Sequence, residues 1–155
     1  MPPDIQIKRA TPQMRRVAKR LIPYSPPRKK SSEEKAPTLN PVTDKLRAHL
    51  ATLMGKGGFR ALLSRALVLA TAEVSWLRAV HVDANGVLEG WETFYAELDA
   101  AEFYEGRVAV LAHLLGLLVA LIGPKLTSRM MGEIWPELLF ADIDFGKEAE
   151  DGKAK

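Results

Sequence analysis

The side chains able to do chemistry are scattered in this sequence. His49, His81 and His113 lie too far apart for the i, i+4 spacing of a helical metal-binding pair. His113 falls in the most apolar stretch of the chain, where a hydrogen-bonded core histidine is the expected role. Ser64 and Ser75 sit within a helical pattern, and neither lies in the G-x-S-x-G turn that exposes a nucleophilic serine. None of the 155 residues is cysteine, which excludes thiolate zinc sites, iron–sulfur clusters, disulfides and thiol nucleophiles. Gly55-Lys56-Gly57-Gly58 precedes a helical run and has backbone N–H groups to offer an anion. It lacks the preceding strand and the Gly-Lys-Ser/Thr of a phosphate-binding loop, so a glycine cap between two helices is the expected role. Nothing supports an enzyme, and a non-catalytic protein is the expectation.

One stretch has ligand-like spacing. In His81-Val82-Asp83-Ala84-Asn85-Gly86-Val87-Leu88-Glu89-Gly90-Trp91-Glu92, Asp83 and Asn85 stand at the third and fifth places, Gly86 at the sixth, Leu88 at the eighth and Glu92 at the twelfth. This resembles the calcium loop of the EF-hand family, and the resemblance implies a calcium-responsive switch using Asp83, Asn85 and Glu92. It covers twelve residues. His81 stands where the family places its first aspartate, Gly90 stands where the exiting helix begins, and no second loop pairs with it. Asn85-Gly86 alternatively turns a small hairpin over 80–88 without metal. The acids Glu97, Asp99, Glu102 and Glu105 read as a solvated face or as a dock for basic residues.

Charge is the larger signal. Residues 1–41 hold ten Lys/Arg and three Asp/Glu, a net +7, with eight of the ten prolines, whereas residues 42–155 hold twelve against sixteen, a net −4. The formal +3 of the whole chain therefore conceals a basic proline-rich arm, expected to be mostly disordered, and a mildly acidic body. Within the arm, Thr11 can cap a helix over 12–22. Met14, Val17, Ala18, Leu21 and Ile22 line one face of it, with Arg15, Arg16, Lys19 and Arg20 between them. A helix this short is marginal alone and needs a surface to complete it: an anionic membrane, nucleic acid, a partner's groove, or its own body. Arg28, Lys29 and Lys30 add a second basic cluster.

The elements that must position these groups read as helices. Thr43 is a candidate cap for a helix from Pro41 to Met54. Phe59 to Val80 repeats with a period near 3.6, and Trp91 to Leu98 returns to a helical pattern. A helix over about 101–122 includes Val108–Ile122, which is apolar on every side. At roughly 22 Å this run is shorter than the ~30 Å hydrocarbon core of a membrane, so a membrane span is the minor reading. Leu126, Met130, Met131 and Ile134 predict a last helix ended by Trp135-Pro136. The expected fold is all-α: four or five helices around the 101–122 segment, with a domain over 42–145 and a polar tail over 146–155.

These readings point to a helical interaction or adaptor protein. Its body would dock to a protein partner or self-associate, with Trp135 either on a docking face or in the core, while the arm engages an acidic surface. Nucleic-acid binding through the arm and the calcium switch are the alternatives. A cytoplasmic location is expected, since the chain has no cysteine and no continuous apolar stretch near Met1 that would read as a secretory signal.

Overall fold

A computed structural model of the protein describes residues 11–22 and 38–138. Four α-helices, two 3-10 turns and one two-stranded hairpin are present among them. The order is α1 (Pro12–Leu21), α2 (Asn40–Glu73), a 3-10 turn (Ser75–Ala79), β1 (His81–Val82), β2 (Leu88–Glu89), α3 (Ala100–Ile122), α4 (Pro124–Ile134) and a last 3-10 turn (Pro136–Leu138). The protein is mostly helical, as the sequence periodicity requires. Arg28, Lys29, Lys30 and the 146–155 tail lie outside the described residues.

Helix α3 organises the rest, because a helix apolar on all sides must be covered on all sides. Twelve of its 23 residues are buried, and α1, α2 and α4 each pack against it. Among the described residues it is the one helix long and apolar enough to cross a membrane. Here most of its apolar residues are buried against the other helices, and Leu121 near its C-terminal end is exposed. Its start is fixed by a reciprocal cap: Asp99 accepts the Glu102 backbone N–H at 2.7 Å, and Glu102 accepts the Asp99 N–H at 3.2 Å. Two of the four acids read as a solvated face are therefore the cap of the central helix.

Several expected boundaries shift. Helix α2 begins at Asn40, one turn before Thr43, and Thr43 is fully buried with its hydroxyl donating to the Leu39 carbonyl at 3.3 Å. Thr43 is thus a core residue rather than a cap. Gly55 breaks α2 with φ +76° and ψ 167°, a conformation only glycine adopts without strain, so residues 40–54 and 56–73 are two helical arms meeting at a corner. The second arm ends at Glu73, not Val80; Ser75–Ala79 tightens into a 3-10 turn. Trp91 to Leu98 is a series of turns, closed by Thr93 N–H to Gly90 O and Tyr95 N–H to Glu92 O, each 3.2 Å. Its aromatic residues mimicked a helical stripe but serve an aromatic cluster instead.

In that cluster Trp76 stacks on Phe103 with centroids 5.1 Å apart, while Trp91 meets both rings edge-on at 6.3 and 6.2 Å. Trp76 lies flat against the backbone of Gly106, where a Cβ would come within 2.2 Å of its ring. At the other end of the core Trp135 is buried, with the Lys45 ammonium 5.8 Å from its ring. Of the two expectations for Trp135, a docking face and a place in the core, the structure has the core.

Candidate functional site at the seat of the basic helix

Helix α1 starts where Thr11 accepts the Met14 N–H at 3.2 Å and Pro12 occupies the first turn. Its apolar stripe, Met14, Val17, Ala18, Leu21 and Ile22, is entirely buried. Ten residues of helix are marginal in water, so packing against α3 completes it. Gly116 of α3 leaves room for the Met14 sulfur, which would sit 3.3 Å from a Cβ placed there. Further along, the Tyr104 hydroxyl donates to the Lys19 carbonyl at 3.3 Å. Arg16, Lys19 and Arg20 are exposed, and the last two fall in the final turn, where cations suit the helix dipole.

Arg15, at the border of the apolar stripe, closes the seat. One of its terminal nitrogens donates to both carboxylate oxygens of Glu73, at 2.7 and 2.6 Å. The same carboxylate approaches His113 of α3, with Nε2 3.3 Å from Oε1. Glu73 is the last residue of α2, so a single acid joins α1, α2 and α3. Burial alone would raise its carboxyl pKa; the hydrogen bond and charge of Arg15, with His113 adding to them, outweigh that and hold it below 4.5. The site is a clamp in which Arg15 and His113 both face the Glu73 carboxylate, and these three residues include no nucleophile beside a base.

Beside the clamp lies an open groove of about 380 Å³ lined by Glu73, Val74, Ser75, Trp76, Asp99, Ala101, Glu102 and Glu105. Its acids are largely occupied: Glu73 by Arg15, Asp99 and Glu102 by their mutual cap. Arg107, one turn below, is buried with its Nε unpartnered and its guanidinium 5.5 and 5.7 Å from the Phe103 and Tyr104 rings. Burial lowers its pKa, and Tyr104 and Tyr95 act in the opposite sense.

The 81–92 stretch folds as a hairpin, with His81 opposite Glu89 and Val82 opposite Leu88. Asp83 Oδ1 accepts two backbone amides of the turn, Asn85 at 2.8 Å and Val87 at 2.9 Å. The Val87 bond is the main reason its pKa lies below 3.8; partial desolvation opposes it, and Asn85, Arg47 and Arg60 reinforce it. Asn85 is exposed at the tip, and Glu92 is exposed in the turns that follow β2. Among the described residues no group of three or more His, Cys, Asp or Glu is gathered as a metal site. The helix that should leave an EF-hand loop after Glu92 is replaced by turns, and the next helix begins at Ala100.

Of the residues singled out from sequence, Arg15, Arg16, Lys19 and Arg20 share one helix, and Arg15 turns toward the body. Sequence reasoning missed Glu73 altogether. The available signal was His113, a polar group in an apolar helix that had to find a partner. No family model matches the chain, and no curated protein or solved structure is similar to it.

Proposed function

We infer that the protein is a non-catalytic helical interaction module in which the seated helix α1 presents a cationic edge to an acidic surface of a protein partner. The observation that carries this reading is the division of α1 into two faces. Its apolar stripe and Arg15 are committed to the body, while Arg16, Lys19 and Arg20 face outward on a helix whose position is fixed. A fixed edge loses less entropy on binding than a free tail carrying the same charges. With Glu73 paired to Arg15, the groove still carries the negative charge of Asp99, Glu102 and Glu105, so a second copy of the chain is one acidic partner of the right chemistry. A cytoplasmic setting belongs to this reading.

Fluorescence anisotropy with a labelled polyglutamate peptide and a labelled single-stranded oligonucleotide tests it, alongside sedimentation equilibrium for self-association. Salt-sensitive peptide binding or self-association, lost in Arg16→Glu/Lys19→Glu/Arg20→Glu, is the expected result. Absence of both overturns the reading, and binding of the oligonucleotide alone transfers the edge to nucleic acid.

A further inference from the structure

We propose that the opposite end of the bundle, where the chain turns at Gly55 and at Gly123, docks on an anionic lipid surface. Four large apolar side chains are exposed among the described residues, and three of them, Leu53, Leu121 and Leu126, belong to this end, at 62%, 60% and 45% exposure. Leu121 and Leu126 flank the corner between α3 and α4. Leu53 is brought to them by the pairing of α2 with α4. The Lys45 ammonium lies 5.8 Å from the Trp135 ring, and His49 Nε2 lies 3.3 Å from Glu133 Oε1. The first arm of α2 therefore runs opposite to α4, so Leu53, one turn past His49, and Leu126, two turns before Glu133, converge on the Gly123 corner.

The exposed charges around these leucines are mainly cationic; the one acid of α4, Glu133, lies two turns from Leu126 and against His49. Lys56, Lys125 and Arg129 are exposed there, and none forms an ion pair with a carboxylate among the described residues. The sequence contains no Asp or Glu over residues 45–72 or 106–132, the two stretches that build this end. Asp83, in the hairpin tip beside α2, is offset by Arg47 and Arg60. The acids of the groove lie at the start of α3, where 20 residues of helix separate Glu102 from Ile122, roughly 30 Å at 1.5 Å per residue. That is several Debye lengths at about 8–10 Å each, so the groove does not cancel the field at the leucines.

The shape favours lipid over a protein groove. A Cβ placed on Gly55, Gly57 or Gly123 would meet nothing within 4 Å, so no neighbour covers that side of either turn. Exposed leucines with cations beside them fit a headgroup layer, where the leucines enter the acyl boundary and the long cationic stems reach lipid phosphates. Helix α1 lies along α3 with Met14 near Gly116 and Lys19 near Tyr104. Its cationic last turn therefore points away from the docking end, leaving it accessible on a membrane-bound molecule. This inference does not rest on the function proposed above, and either can fail alone.

The chain has no cysteine, so Leu126→Cys carries a single environment-sensitive fluorophore, and Ala101→Cys serves as the control at the acidic end. Full-length protein is titrated with vesicles of phosphatidylcholine alone and with 30% phosphatidylserine, with co-sedimentation in parallel. The expected result is a blue shift at position 126 and none at 101, on the anionic vesicles only. Each cation near an anionic surface contributes about a five-fold factor, so Lys125→Gln/Arg129→Gln weakens partitioning about 25-fold. Leu121→Gln, an exposed substitution, also weakens it, while Arg16→Gln/Lys19→Gln/Arg20→Gln leaves the shift at 126 intact. No binding, an unshifted label at 126, or loss of binding confined to the α1 variant overturns the proposal. So does binding of a DNA oligonucleotide through Lys125 and Arg129 with no binding to vesicles.

Discussion

Replacing Glu73 by Gln removes one charge from a clamp that joins three helices. The Arg15 and Glu73 side chains are 31% and 35% exposed, so solvent screens the pair and it cannot be valued as a buried one. Two charge-assisted hydrogen bonds to one carboxylate raise its worth above that of a lone surface ion pair, and a contribution of about 1–2 kcal/mol follows. For a chain of this size that corresponds to a fall in Tm of roughly 2–8 °C. The pH dependence has a definite sign. Because the folded-state carboxyl titrates below its ordinary 4.5, the contribution is present above that value and disappears as pH falls through the lower, folded pKa. Urea unfolding at pH 7 and below pH 4 should therefore show a difference between wild type and Glu73→Gln that shrinks on acidification. Hydrogen exchange should show faster exchange across residues 12–21 in the variant, since α1 is the element released. The double-mutant cycle with Arg15→Gln isolates the pair. Equal stability of Glu73→Gln and wild type at pH 7, with unchanged protection of α1, would refute the clamp.

Other consequences are open to measurement. Gly106→Ala drives a methyl into the Trp76 ring and should cost about 1–3 kcal/mol, with a changed near-ultraviolet circular dichroism signal reporting the displaced Trp76–Phe103 stack. Val17→Ala, at a position 1% exposed, should destabilise the seat of α1 by roughly 1–2 kcal/mol and speed proteolytic cleavage near residues 11–22 without altering exchange in the hairpin. Asp83 stays ionised to below its ordinary 3.8, so acid titration followed by NMR should move the Asn85 and Val87 amides together at a pH below that value. Calcium should leave those two amides unshifted, because Asp83 Oδ1 is already committed to them; a saturable shift abolished by Glu92→Gln would restore the metal loop.

Much of the fold was legible because single-helix signals are local. The stripe of α1 with its Thr11 cap, the break at Gly55 and the end of α4 at Trp135-Pro136 each depend on residues within one or two turns. The misread parts share a cause. Thr43 had the residue type of a cap but lies inside α2, and Trp91 and Tyr95, within a stretch of helical spacing, instead contact Phe103 and Trp76, which local spacing does not encode. The candidate site was half legible: Arg15 was visible as one of four basic residues on α1, and His113 as a polar group needing a partner.

A mostly helical chain with an apolar central segment interrupted by His113, and a charge imbalance between arm and body, could be read without the fold, because composition and 3.6-residue periodicity are properties of neighbouring residues. Tertiary packing alone brings Arg15 of α1 to Glu73, 58 residues away in the chain. It also decided that His113 shares that carboxylate. Such pairings follow from how helices pack around α3, where the burial of Met14, Val17 and Leu21 sets the rotation of α1 and brings Arg15 within reach of Glu73.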